Sequence, residues 1–419
     1  MNAAVTTLAV LGGGALLLTG AAVAHPRRRP IYLDAQATTP LHPAVITAMR
    51  RADRTAWANP GSPHPPGRAA RAALDAARHQ VAQLLQAPDH RVCFTAGATE
   101  ALNLAIVGSV RHLARTSPTP LHVLTTPIEH KAVLAPLRAL VAEGLVELEL
   151  LPIQPTGNLA PELSTIPYAI HDVLRAALRP DTALVVIGWA NNEIGTIQHL
   201  HAVASALADN PARLIVDATQ LAGFHPRLPP RVDAAALSAH KLHGPKGIGA
   251  LLLRPGLELE PIMRGGGQEG GLRPGTVPAP LAVGFGEAAR IANVEAPKRA
   301  VRLIRGAQAL WDRLEPLGVK LNGPRPDQRL PGNLSLTLPE GLTVAELRER
   351  VPLLVFSQGS ACSCSKRPSH VLEAIGVSGE EGARTFRIGL HAGLSRHEVA
   401  AAIEALTEAV ELCRSAPHA

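Results

Sequence analysis

Residues 234–253 read AAALSAHKLHGPKGIGALLL. Two short aliphatic runs, 234–238 and 249–253, flank His240, Lys241 and a glycine-rich turn. Short aliphatic runs bounded by turn residues are the pattern of strands buried on both faces. A lysine at the mouth of such a strand is costly to desolvate. Desolvation lowers its pKa and readies the amine for Schiff-base formation. Taken alone, Lys241 reads more simply as a solvated loop lysine, and only its surroundings favour the chemical role.

Outward from this stretch the same pattern repeats. Apolar runs at 91–95, 122–126, 183–189 and 213–216 predict further strands, and helical patterns at 67–85 and 99–113 lie between them. Strands alternating with helices predict an α/β fold with a mostly parallel sheet covered on both faces. Near residue 295 the character changes. A helix is predicted over 301–317, a strand over 333–338 and a Gly/Ser/Cys-rich loop over 357–365. In the last helix, Val399, Ile403, Leu406, Val410 and Cys413 recur at steps of four and three, one apolar face. We therefore expect a large domain at 31–295, its first residues packing on a smaller α+β domain at 296–419.

The 419-residue chain is long enough for two cores. Hydrophobic residues make up 46% but aromatics only 2%, so the cores must be built from Ala, Val, Leu and Ile. The net charge is +7, yet no basic stripe is interleaved with aromatics, which argues against nucleic-acid binding. Four cysteines, Cys93, Cys362, Cys364 and Cys413, form neither a disulfide framework nor a zinc-site spacing. Cys93 and Cys413 read as core residues.

Residues 3–24 carry no charge and are followed by Arg27, Arg28 and Arg29. A helix of that length could contact or span a membrane, and the arginines would hold the following domain on the cytoplasmic side. An organellar targeting segment is the alternative, and Gly12, Gly13 and Gly14 weaken any helix here. Residues 1–30 are therefore set apart from the fold.

Two more stretches carry chemistry. In RLIVDATQ (213–220), Asp217 ends an apolar strand, the edge where open α/β sheets collect ligands. A buried carboxylate there can pair with a cation such as the pyridinium nitrogen of pyridoxal 5'-phosphate (PLP), or it can cap a helix. In TAGATEALNL (95–104), Gly97, Ala98 and Thr99 stand between strand and helix, where exposed N–H groups can cradle a phosphate.

With YLDAQATTP (32–40), FTAGATE (94–100), IEHKAVL (128–134), NNEIG (191–195), VDATQ (216–220), SAHKLHGPKGIGAL (238–251), GGGQEGGLRPGTVP (265–278) and GSACS (359–363), the chain resembles the cysteine desulfurases, the NifS/IscS-like branch of the class V PLP-dependent aminotransferases. The resemblance runs from Ile31 to about residue 412. It implies PLP-dependent transferase fold type I, with a seven-stranded sheet, and removal of sulfur from L-cysteine to give L-alanine and a persulfide on Cys362. Lys241 matches the lysine that holds PLP, Asp217 its pyridinium partner, and His130 the histidine that stacks on the ring and moves protons. Ala98, Thr99, Ser238 and His240 match phosphate-binding positions, and Asn192 and Gln220 contacts to the ring. Thr276 matches a phosphate contact supplied by the neighbouring subunit, implying a homodimer. Arg387 and Asn59 match the residues that hold the substrate carboxylate, a task suited to arginine's planar fork.

The persulfide would pass to a sulfur acceptor, such as an iron–sulfur scaffold protein. The chain ends at Ala419, without the tail with which related proteins dock that scaffold, so this transfer is the less secure expectation. Other departures are His243 for a tyrosine, Gly270 for an arginine, Pro274 for a serine, His391 for an arginine, Gln358 for a serine and Cys364 for a serine. The competing readings are a selenocysteine lyase or other class V PLP lyase, and a non-catalytic, membrane-tethered sulfur-pathway partner.

Overall fold

In the computed structural model of the chain, residues 29–159, 168–358 and 369–415 are described. The expected membrane-contacting segment 3–24 and the loop cysteines Cys362 and Cys364 lie outside the described residues, as does the side chain of Cys413.

The strands in chain order are β1 (Ile31–Tyr32), β2 (Arg91–Thr95), β3 (Leu121–Thr125), β4 (Val146–Leu150), β5 (Thr182–Gly188), β6 (Arg213–Asp217), β7 (Ala234–Ser238), β8 (Gly249–Leu253), β9 (Lys320–Asn322), β10 (Asn333–Thr337), β11 (Leu354–Val355) and β12 (Thr385–Gly389). The helices that matter below are α1 (Pro43–Thr55), α2 (Pro65–Gln83), α3 (Ala98–Leu113), α4 (Lys131–Ala142), α5 (Ala279–Leu314), α6 (His370–Ala374) and α7 (Arg396–Ser415).

Seven strands form one sheet in the order β2-β8-β7-β6-β5-β3-β4. The pairs β3–β4, β3–β5, β5–β6 and β6–β7 are parallel, whereas β8 is antiparallel to both β2 and β7. The antiparallel β8 follows from the short turn after Lys241, because a parallel return needs a crossover of a dozen or more residues. Every residue of β7 and β8 is buried, as expected of aliphatic strands covered on both faces. The strands predicted from sequence at 91–95, 234–238 and 249–253 keep their bounds. Those at 122–126 and 183–189 begin and end one residue earlier.

The helix predicted over 301–317 is the second half of a longer one. Helix α5 has 36 residues, continues through Pro297 and ends at Leu314, and a short 3-10 turn follows it. The boundary expected at residue 295 falls inside it. Its first half packs Ala282, Phe285, Ala288 and Ala289 into the core beneath the seven-stranded sheet. Its second half packs Leu303, Ala307, Leu310 and Leu314 into a second core. Burial on both sides of Pro297 outweighs the hydrogen bond that proline removes.

The second core lies against the antiparallel sheet β12-β10-β9 and the parallel pair β1–β11. Leu33, fully buried, belongs to it, so the chain passes through this core before entering the larger sheet. On α7, Leu406 and Val410 are buried in this core, with Val399 and Ile403 packed beside them.

Candidate active site

A cavity of about 800 Å³ opens at the C-terminal edge of the seven-stranded sheet. Strand ends deliver its polar side chains: Asp217 closes β6, Ser238 closes β7, and Lys241 follows one turn later. Parallel strands point their carboxyl ends to one side, so residues distant in sequence meet there.

One wall is the start of α3. Gly97 precedes the helix, and no side chain caps it. The first N–H groups of a 16-residue helix therefore face the cavity beside Ala98 and Thr99. Backbone approach is tight here. A Cβ on Gly249 would lie 2.6 Å from Gly97 Cα, so only glycine lets β8 pass beneath this turn. His240 sits across the cavity, its Nδ1 3.1 Å from Thr38 Oγ1. Burial, then the Lys241 and Lys246 ammonium groups, lower its pKa to about 4.

Lys241 Nζ donates to the carbonyl oxygens of Gln36 and, at 2.9 Å, of Ala37. Gln220 Nε2 reaches the same Gln36 carbonyl at 3.2 Å. The YLDAQATTP stretch thus forms the floor under the lysine. Asp217 Oδ1 accepts from Thr219 N at 3.0 Å.

His130 caps α4, and its Nδ1 accepts from Ala132 N at 3.1 Å. That bond places the proton of the neutral ring on Nε2. The residue is exposed to the open cavity, yet enough protein surrounds it that desolvation, followed by Lys241, lowers its pKa against the opposing effect of Asp217. Next to it, buried Glu129 accepts from Thr126 Oγ1 at 2.7 Å and from Gly188 N at 2.8 Å. Burial raises its carboxyl to about 7.

Of the residues singled out from sequence, Ala98, Thr99, His130, Asn192, Asp217, Gln220, Ser238, His240 and Lys241 line this one cavity. Arg387 does not line it but is buried just behind, donating from Nη1 to the Asn192 carbonyl at 3.1 Å. Asn59 and Thr276 are elsewhere. Both are exposed and line a separate pocket of about 530 Å³ with Arg71, Arg91 and Gln268. Within one chain, then, Asn59 and Arg387 are not brought together. Cys362 lies outside the described residues, but the chain on either side is anchored near the cavity. Ser357 precedes it, and Ser369 donates to Glu193 Oε2 at 2.5 Å while His370 Nε2 stands 2.9 Å from the Glu129 carbonyl.

Sequence reasoning missed Thr219, Glu129, Gln198 and Lys246 in the lining. Thr219 is next to Asp217 in VDATQ, and that adjacency was the available signal. Its Oγ1 is buried with no partner among the described residues. A buried hydroxyl left open on a cavity wall calls for a polar ligand. Two of the departures also meet: the rings of His243 and His391 lie 5.6 Å apart, and burial lowers both pKa values, that of His391 to about 4.

A mostly parallel sheet with a lysine, a strand-end carboxylate and an open helix N-terminus converging at its carboxyl edge defines the fold type I class of PLP-dependent transferases. The class-V aminotransferase family matches residues 31–401. The mitochondrial cysteine desulfurase of Arabidopsis thaliana is 38% identical over 401 residues, covering 92% of this chain and 83% of that protein. The cysteine desulfurase IscS of Aeromonas salmonicida is 38% identical over 397 residues, covering 91% and 93%. Among solved structures, a NifS-like protein has a TM-score of 0.81 at 31% identity, covering 91% of this chain and 100% of that one. DndA from Streptomyces lividans has a TM-score of 0.69 at 35% identity, covering 85% and 99%. The chain belongs to the class V aminotransferase family, in its cysteine desulfurase branch.

Proposed function

We propose that this protein is a PLP-dependent cysteine desulfurase, taking sulfur from L-cysteine to leave L-alanine and a persulfide on Cys362. The observation that carries the proposal is the single cavity shared by Lys241, Asp217, His130 and the open α3 N-terminus. Those residues fit PLP: an amine for its aldehyde, a carboxylate for its ring nitrogen, N–H donors for its phosphate, and the unpaired Thr219 hydroxyl for a remaining polar atom. Bound there, PLP would supply an electron sink for the substrate Cα.

The remaining work falls to the chain's own groups. Lys241 would hold the cofactor, and Asp217 would pair with its ring nitrogen. Ala98, Thr99, Ser238 and His240 would hold the phosphate, and Asn192 and Gln220 the ring. His130, neutral at pH 7, presents an Nε2 proton to the cavity. Arg387 holds the substrate carboxylate. Cys362, as thiolate, forms an S–S bond to the substrate sulfur while that sulfur's bond to the substrate Cβ breaks, and the electron pair stays with the carbon fragment, which is protonated to alanine. Asn59 and Thr276 share an outward-facing pocket, which supports a homodimer in which they serve the neighbouring copy's site. We assign the large domain to 31–295 and the small one to 296–419, with α5 shared by both cores.

Named relatives include mitochondrial forms. For this chain we propose a cytoplasm-facing enzyme whose segment 3–24 contacts a membrane. Among the described residues, no helix is long and apolar enough to cross one. The sulfur acceptor, such as an iron–sulfur scaffold, is part of the same proposal.

The test is incubation of the PLP-loaded protein with L-cysteine. Alanine should form stoichiometrically with a one-sulfur mass increase on Cys362 or, where a thiol reductant is added, with sulfide. Cys362→Ala should keep the visible colour and lose both products. No alanine from the wild type would refute the desulfurase reading, and faster turnover of selenocysteine would favour the lyase.

A further inference from the structure

We propose that Asp34 is a positioning residue, a resident counter-ion that occupies Arg387 and competes with the carboxylate of the incoming amino acid. The inference rests on the reading of Arg387 as the carboxylate-binding residue.

Three segments meet here. Asp34 follows β1 and bridges to Gly389 at the end of β12. Its Oδ1 lies 2.7 Å from Arg387 Nη2 and accepts from Ser357 Oγ at 2.9 Å. The Ser357 backbone carbonyl in turn accepts from the Arg387 backbone N–H at 2.7 Å. The ring of contacts Asp34–Arg387–Ser357 is therefore closed. The Arg387 side chain is 3% exposed and that of Asp34 15%.

A guanidinium this deeply buried needs a counter-charge before any substrate arrives, because an unpaired buried charge is strongly destabilising. Asp34 supplies it. A purely structural ion pair would also be expected to satisfy the remaining donors. Here Nη1 is bonded to the Asn192 carbonyl, on the cavity wall, while Nε is buried with no partner among the described residues. Nε is thus a buried donor without a partner among the described residues, on a guanidinium that adjoins the lining residue Asn192. A carboxylate that binds there meets the Asp34 charge. Attraction to Arg387 is offset by repulsion from Asp34, so the amino acid is held less tightly than by an unshielded arginine, and the alanine product leaves faster.

Two variants separate charge from geometry. Asp34→Asn is nearly isosteric and retains an acceptor for Nη2. Ser357→Ala removes a hydrogen bond that stabilises the Asp34 carboxylate, strengthening its hold on Arg387. The readout is binding, followed by the absorbance of the cofactor as L-alanine or ethylamine, which lacks the carboxylate, is titrated into each holoenzyme. Asp34→Asn should bind alanine about tenfold more tightly, and Ser357→Ala about twofold more weakly, with ethylamine unchanged in both. Equal shifts for alanine and ethylamine, or no tightening in Asp34→Asn, overturn the inference while leaving Arg387 its role. Should Asp34→Asn fail to fold, Ser357→Ala decides, and unchanged alanine binding in it overturns the inference. If the wild type binds alanine no better than ethylamine, the carboxylate role of Arg387 falls, and the inference with it.

Discussion

His130 illustrates how a residue's chemistry is set by one bond. Its Nδ1 is committed to Ala132 N, which leaves Nε2 for the cavity. Burial and Lys241 lower its pKa from 6.5, so the ring is neutral through the physiological range and its protonation limb lies on the acid side of 6.5. We expect His130→Ala to reduce alanine formation by about 10²–10⁴-fold, as general acid–base groups typically do, without loss of cofactor absorbance. The part of the kcat/KM acid limb that belongs to His130 should lie below pH 6.5. An acid limb that survives unchanged in His130→Gln would assign it to another group. The identity of His130 was legible in IEHKAVL, but its tautomer was not, since that depends on the cap geometry of α4.

At the level of elements, the cofactor cradle depends on how closely β8 passes under the turn before α3. A Cβ on Gly249 would lie 2.5 Å from the Leu237 carbonyl oxygen and 2.6 Å from Gly97 Cα, both backbone atoms that cannot swing away. Gly249→Ala should therefore push the α3 N-terminus out of place. The expected result is PLP affinity weakened at least tenfold, roughly the loss of one hydrogen bond to a charged group. Equilibrium titration of the apoprotein with PLP, followed by absorbance, measures this, and wild-type affinity in the variant would refute it. The two strands themselves were readable from AAALS and GALLL because a continuous aliphatic run has little choice but burial. Helix α5 was not, because the sequence rule that proline ends a helix applies locally. Two cores on either side of Pro297 overrule it.

For the whole molecule, buried titratable groups tie stability to pH. His90, His130, His240, His243 and His391 all have folded pKa values below 6.5, with burial the leading cause. As pH falls through 6.5, the unfolded chain binds protons that the fold resists. Stability present above 6.5 is then lost down to about 4, the value for His240 and His391. Glu129 acts in the opposite sense. Its carboxyl is raised from 4.5 to about 7, so its contribution is complete below 4.5 and is lost as pH rises to about 7. Urea midpoints should drop from pH 6.5 to 4.5 in the wild type and drop more steeply in Glu129→Gln, where the opposing group is gone. Parallel curves for the two proteins would contradict this assignment.

The sequence by itself determined the family, most of the sheet, and most of the residues that line the main cavity. Buried parallel strands are written as short aliphatic runs, and the catalytic groups stand at their carboxyl ends, where chain position and spatial position coincide. Lys241, Asp217 and the 97–99 turn were each ambiguous alone and became readable as a set. Only the tertiary structure decided what depends on packing between distant segments. It put Asn59 and Thr276 in a pocket apart from Arg387, left the Thr219 hydroxyl without a partner among the described residues, and set Asp34 against Arg387 across 353 positions of chain. Local pattern fixes where a strand ends, but an ion pair between remote segments forms only because two cores, folded around one shared helix, bring those segments together.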